Sequence, residues 1–426
     1  MDINLQMCLA ISIFIITYAV IISEKLHKTI IALVGAVLLV LLGVLSQEEA
    51  IKFIDFNTIG LLVGMMILVA IIKQTGVFEY IAIKLAKRAK GKASKILVSF
   101  MVITAILSAL LDNVTTIIVI VPVTITICRI IGVKPIQFII AEIFASNIGG
   151  TATLIGDPPN ILIGSATHLS FLDFIFNLAP IAVITLLISI LVFKYIYRKD
   201  LEQTNETQGL MEMDENKAIT DLVLLTKSLI VLGFVIIGFF LHEFLHIDTA
   251  TIAMAGAAIL LTIAKIDVET ALDGVEWTTI LFFIGLFILV GGLEKVGTLE
   301  SLAKLTFQIT GGNLFFTGLA ILWTSAILSA FVDNIPFVAT MIPLIKEFGI
   351  LSGGGNIDFL WWCLALGACF GGNGTIIGAS ANVIGTDILK SSGHEISFKE
   401  FFKGAFPMML LTIVIATIYV IIVLYK

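Results

Sequence analysis

Apolar residues fill this chain in long runs, and polar positions fall mostly between them. Runs near 7–22, 29–46, 57–74, 174–195, 221–241, 249–264, 278–293 and 404–425 each approach the length of a membrane span. A helix needs about 20 predominantly apolar residues to cross a bilayer. Four further runs are broken at their centres by polar or glycine-rich segments. The pattern predicts an all-α polytopic membrane protein.

The runs repeat. Residues 106–113 read ILSALLDN and residues 327–334 read ILSAFVDN, at an offset of 221. At that offset Gly64 meets Gly285, Gly76 meets Gly297, Glu79 meets Glu300 and Pro122 meets Pro343. One residue later in register, GGTATLIG at 149–156 matches GGNGTIIG at 371–378, and Asn160 matches Asn382. Residues 1–199 thus form a first repeat and 221–426 a second, joined by a polar linker over 200–220. Each repeat holds three spans, an apolar segment with an Asp-Asn centre, a glycine-broken span and a last span. The Asp-Asn segment, a re-entrant hairpin or a pair of short spans, adds an even number of crossings. Each repeat then crosses an odd number of times, so the second is inverted relative to the first. Paired broken helices in inverted repeats are the architecture of secondary transporters, with the site near the midplane.

Composition narrows the class. Of 426 residues, 59% are hydrophobic and 13% charged, and the mean hydropathy is +1.11. Soluble chains average about 25% charged residues, so a soluble enzyme and a nucleic-acid partner are both excluded. The net charge of −6 says little; placement says more. Lys84, Lys87, Arg88, Lys90, Lys92 and Lys95 form a basic run without acids, which the positive-inside rule assigns to the cytoplasm. Lys25 and Lys28 follow as inner anchors, and so do Lys194, Arg198 and Lys199. The Gln47–Asp55 loop and both termini then face outside, the 200–220 linker faces the cytoplasm, and the chain belongs in the cell membrane. The Asn205-Glu206-Thr207 sequon would go unused there. Cys8, Cys128, Cys363 and Cys369 lie in apolar runs without a CxxC and read as buried thiols. The first run lacks a cleavable-signal pattern and reads as a retained helix.

Four breaks carry the candidate chemistry. They are Asp112–Thr116, Asp333–Pro336, Asn147–Asn160 and Gly371–Asn382. Unwound backbone survives at membrane depth only where it lines protein or a watery cavity. Pro158 and Pro159 forbid continuous helical bonding. Opened helices offer carbonyls to a cation and half-helix amides to an anion. Ionisable groups in a bilayer are costly and mark function: Asp112, Asp333, Asp157 and Glu142. The two tip aspartates can also cap the helices they precede. Asp157 meets Ala379 in the repeat, so the two breaks differ in charge. No lysine or arginine falls in any break, which predicts an acid-rich, base-free centre that holds Na⁺ or a proton readily.

His242-Glu243-Phe244-Leu245-His246 spells the zinc-protease signature. The predicted topology sets Asp273 about 30 Å away, across the bilayer core, so no zinc site and no enzyme is expected. No Walker A sequence is present, so ATP does not drive this chain alone.

LLDNVTTIIVIVPVTI, NIGGTATLIGDPPN, FVDNIPFVATMIPL and GACFGGNGTIIGASANVIG resemble the ion transporter superfamily. Within it they resemble the arsenite-permease and NhaD-type Na⁺/H⁺ antiporter branch, closest in motifs to melanosomal P proteins, with a citrate-transporter-like domain. The dicarboxylate and citrate carriers of the superfamily have Ser-Asn-Thr tips; here the tips begin Asp112-Asn113 and Asp333-Asn334. The resemblance implies a homodimer in the lipid bilayer with a scaffold and a mobile transport domain, and an ATPase partner in some members. It also implies a shared substrate and cation site. Carried over by position, the first half gives Asp112, Asn113, Thr115, Asn147, Gly149, Gly150, Thr151, Thr153, Gly156, Asp157 and Asn160. The second half gives Asp333, Asn334, Gly371, Gly372, Asn373, Thr375, Gly378 and Asn382. Na⁺ would sit at Asp112, Asn113, Asp333 and Asn334, and no cofactor beyond the coupling ion, Na⁺ or H⁺, is implied. The expected function is secondary transport of a small inorganic ion or oxyacid, with arsenite or antimonite first. Na⁺/H⁺ antiport, anion or di- and tricarboxylate transport, and a passive ion channel are the alternatives.

Overall fold

Capping chemistry and glycine set the helix boundaries. The computed structural model describes residues 3–23, 25–202 and 208–425; the Asn205-Glu206-Thr207 sequon lies outside them. The first half holds α1 (Ile3–Ser23), α2 (Lys28–Leu41), α3 (Gln47–Lys52), α4 (Phe56–Gln74), α5 (Val77–Arg88), α6 (Ala93–Leu110), α7 (Asn113–Ile130), α8 (Ile136–Gly150), α9 (Pro158–Ala166) and α10 (Phe171–Ile196). Short helices α11 (Arg198–Leu201) and α12 (Gln208–Glu212) follow. The second half holds α13 (Leu222–Leu245), α14 (Thr249–Ala264), α15 (Val268–Leu272), α16 (Trp277–Lys295), α17 (Thr298–Thr310), α18 (Leu314–Phe331), α19 (Asn334–Leu351), α20 (Asp358–Gly371), α21 (Ser380–Ser391) and α22 (Phe398–Tyr419).

The halves match helix for helix, and the fold is an all-α pair of inverted repeats. Among the described residues ten helices are long and apolar enough to cross a membrane, and α2, α8 and α14 are shorter apolar ones. Both last helices begin with a capping box, Ser170 with Asp173 and Ser397 with Glu400, which satisfies two orphan amides reciprocally. The expected span over 29–46 is shorter than its apolar run. Helix α2 stops at Leu41, Gly43 turns the chain at φ +69°, and Ser46 opens α3 with its own capping box to Glu49. The predicted outer loop thus contains a helix.

The halves interlock. Helix α4 packs on α14 and α2 on α16, while α9 packs on α19 and α21 on α7. The repeated glycines explain the crossings. A Cβ on Gly64 would come within 2.7 Å of the Ala253 backbone in α14, and one on Gly285 within 2.7 Å of Ala32 in α2. Small residues let membrane helices approach this closely. Likewise Gly149 abuts Ala105 of α6 and Gly371 abuts Ala326 of α18, which seats each broken helix against its neighbouring hairpin. Buried side chains form a large core through both halves and a second core around α6, α7, α8 and α21. The linker folds back on α5: Lys87 Nζ donates to Glu215 Oε2 at 2.6 Å and to the Met213 carbonyl at 2.8 Å. The basic run and the linker therefore share one side. Of the four cysteines, Cys128, Cys363 and Cys369 are buried as expected, but Cys8 is exposed on α1, because its helix turns that face away from the protein.

Candidate functional site

Each Asp-Asn pair sits at the tip of a helical hairpin, α6–α7 in the first half and α18–α19 in the second. Asp112 Oδ1 accepts from the Thr115 amide at 2.7 Å, and Asp333 Oδ1 from the Ile335 amide at 3.2 Å. Both aspartates thus cap the following helix and stay buried, 5% and 6% exposed. Capping fixes the backbone of the tip and aims the next residue inward. Asn113 Nδ2 donates to Asn147 Oδ1 at 3.1 Å. Its repeat mate Asn334 turns its Nδ2 to Asp157 Oδ1 at 3.4 Å.

The broken helices supply the rest. Helix α8 ends at Gly150, the chain unwinds over 151–157, and α9 restarts at Pro158, a residue suited to a helix start because its missing N–H would go unpaired there anyway. Asn160 Nδ2 donates to the carbonyls of Thr151 at 3.1 Å and Thr153 at 2.8 Å. Asn382 Nδ2 does the same for Gly372 and Thr375, each at 2.7 Å. The carbonyls of Thr151, Thr153, Gly372 and Thr375, freed by unwinding, thus each accept one hydrogen bond from the chain's own carboxamides and keep a second lone pair. Thr151 Oγ1 donates to the Asn147 carbonyl at 2.7 Å, and Thr153 Oγ1 to the Ala109 carbonyl at 2.6 Å. A Cβ on Gly156 would lie 2.6 Å from the carbonyls of both Gly150 and Ser108, and one on Gly378 2.4 Å from the Gly372 carbonyl. Only glycine fits where these strands of backbone cross.

Asn147 joins the halves. Its Nδ2 donates to Asn373 Oδ1 at 3.0 Å and Asn382 Oδ1 at 2.9 Å. Cys369 holds the equivalent place in α20, and its Sγ lies 3.6 Å from Asn160 Oδ1. The pattern is two-fold in frame and differs in chemistry. Three buried side-chain atoms of the tips and breaks have no hydrogen-bond partner within the protein: Asn113 Oδ1, Asp157 Oδ2 and Asn373 Nδ2. Buried polar atoms are normally satisfied, so two acceptors and one donor remain available to a ligand.

The structure adds a residue that sequence reading treated as an anchor. Lys28, the first residue of α2, pairs with Asp333 Oδ2 and donates to Ser380 Oγ at 2.8 Å. Tyr18 of α1 also reaches this tip, donating to the Pro336 carbonyl at 2.8 Å. The centre is therefore not base-free: a lysine enters from a different element. Helix α2 has 14 residues, about 21 Å of rise, against a bilayer core of about 30 Å. Its start can lie below the membrane surface. A lysine at the first helical position with no acid in that turn opposes the helix dipole, and that conflict was the available signal.

Glu142 stands apart from this cluster. It is fully buried on α8 and accepts from Thr124 Oγ1 of α7 at 2.6 Å. His242 of the protease-like signature accepts from the Phe171 amide at 3.2 Å. No cluster of three His, Cys, Asp or Glu side chains able to hold a metal occurs among the described residues.

Residues 18–367 match the citrate transporter family, CitMHS. The chain is 44% identical over 415 residues to an uncharacterized transporter of Mycobacterium tuberculosis, covering 96% of this chain and 97% of that one. It is 34% identical over 508 residues to the human P protein, covering 99% of this chain and 60% of that protein. The likeness read from four motifs thus runs through nearly the whole sequence. Among solved structures the fold is similar to the YdaH transporter of Alcanivorax borkumensis, with a TM-score of 0.58 at 12% identity over 88% of this chain and 86% of that one. Fold and family together define a multi-pass membrane transporter. The chain belongs to the citrate transporter family.

Proposed function

We propose that this protein is a secondary active transporter of a small oxyacid or its anion, coupled to Na⁺ or H⁺. The observation that carries the reading is the Asn147 cluster. It gathers a tip and a break from the first half and the break of the second, and leaves Asn113 Oδ1 and Asn373 Nδ2 without protein partners, while Asp157 Oδ2, next to the second tip through the Asn334 bond to Asp157 Oδ1, has none either. Asn113 Oδ1, at the Asp112 tip, suits a coupling cation held by that tip, and the Asn373 donor suits an oxygen of the substrate. The first tip reaches this cluster through Asn113, and the second tip lies against Asp157 through Asn334.

A citrate-type carboxylate ranks first among substrates. The family bears that name, and Lys28 removes the main objection to an anion by balancing Asp333. Arsenite-type efflux rests on the motif resemblance. Na⁺/H⁺ antiport is the second reading, favoured by the unpaired Asp157 oxygen in an aspartate-rich centre. The chain acts in the cell membrane, with the basic run and the linker on the cytoplasmic side, and it works as a homodimer.

Proteoliposomes given labelled citrate under an inward Na⁺ or H⁺ gradient should accumulate it, and an ionophore should abolish the accumulation. Gradient-driven arsenite movement without citrate movement would replace the substrate. Dye-reported Na⁺/H⁺ exchange with neither solute would favour the second reading. Ion conductance without coupling would sink the transporter proposal in favour of a channel.

A further inference from the structure

The two hairpin tips share a backbone and differ in electrostatics. Asp112 and Asp333 occupy equivalent places, and each caps the helix that follows. Among the described residues no lysine or arginine pairs with Asp112, whereas Lys28 pairs with Asp333. A Lys ammonium has three donors; here one goes to Asp333 and one to Ser380. The charge also lies 5.0 Å from the centre of the Phe282 ring on α16, a cation–π contact.

Local preference does not put Lys28 there. The N-terminal end of a helix carries partial positive charge and disfavours a cation. The repeat mate of Lys28 is Thr249, which follows Asp248 at the start of α14, the arrangement the dipole favours. Lys28 departs from that arrangement and meets its partner 305 residues away. A buried carboxylate without a partner is expensive, so the ammonium supplies at the second tip what the first tip must obtain from elsewhere.

We propose that Lys28 is a built-in cation at the second tip, filling the position at Asp333 that a second Na⁺ would otherwise take. The protein then binds its exchangeable cation only on the Asp112 side. The inference rests on the reading that the tips hold the coupling cation.

Equilibrium binding of radiolabelled Na⁺ to the purified full chain tests it. Lys28→Gln should bind one more Na⁺ per protomer than the unaltered protein. Lys28→Gln combined with Asp333→Asn should lose that extra ion. Equal Na⁺ counts in the unaltered protein and a monodisperse Lys28→Gln protein would overturn the inference and leave the transporter reading standing. If Lys28→Gln is too unstable to count, its rise in Tm on adding Na⁺ must exceed that of the unaltered protein, because a ligand stabilises by mass action. An equal rise would overturn the inference too. No Na⁺ bound by any form would remove Na⁺ as coupling ion, and the inference would fall with it.

Discussion

At Asn147 a single carboxamide serves partners in both halves. Replacing it with Ala strands Asn113 Nδ2 and the Oδ1 atoms of Asn373 and Asn382. Each stranded buried group costs about 1–3 kcal/mol in soluble proteins; side-chain bonds within membranes average nearer 0.6 kcal/mol. We expect Asn147→Ala to lose about 2–4 kcal/mol between these limits, read as a lower midpoint in detergent-mediated unfolding. An unchanged midpoint would mean the cluster does not hold the halves together. Asp112→Asn is a different kind of change. An Asn oxygen still accepts from the Thr115 amide, so the tip should fold, while the charge is gone. Folding should survive, and coupled transport should fall to the level of empty vesicles. Asp112, Asp333 and Asn147 stand out in the sequence as polar residues in apolar runs, and the structure buries all three. Lys28 does not stand out, because a lysine at a span end already has an explanation as an anchor.

Among the elements, the broken helices depend on close approach. A Cβ on Gly149 would lie 2.2 Å from the Ala105 carbonyl. Gly149→Ala should push α8 off α6 and lower both yield and Tm. Gly233 on α13 has open space around its Cβ position. Gly233→Ala should be neutral or stabilising by up to about 1 kcal/mol through helix propensity, and a loss at both sites alike would refute the steric account. Helix α3 gives a prediction in pH. Glu49 is held down at about 2, from an ordinary value of 4.5, by the Lys295 hydrogen bond first and then by the Ser46 amide and hydroxyl. Because the folded value is depressed, the contact stabilises above pH 4.5 and is lost as pH falls toward 2. The Tm advantage of the native chain over Glu49→Gln should shrink across that window and also in high salt, since the pair is exposed. The repeat made the element order readable in advance. It missed α3, because a six-residue amphipathic turn has too little periodicity to stand out in a polar loop.

For the whole molecule, the repeat predicted inversion but not how the halves grip each other. Most spans are apolar all round, so no stripe marks the face that meets a partner. The crossings of α4 on α14 and α2 on α16 are visible only in three dimensions, although Gly64 and Gly285 occupy equivalent places in the repeat. The same interlocking brings Lys28 to the second tip. We propose that a cation gradient drives solute through the Asn147 cluster beside the Asp112 tip. Accumulation of labelled citrate in proteoliposomes, with native and Asp112→Asn proteins side by side under an imposed Na⁺ or H⁺ gradient, tests it most directly. The account predicts uptake above equilibrium for the native protein, collapse with ionophore, and none for Asp112→Asn. Equal gradient-driven uptake by both proteins would contradict it.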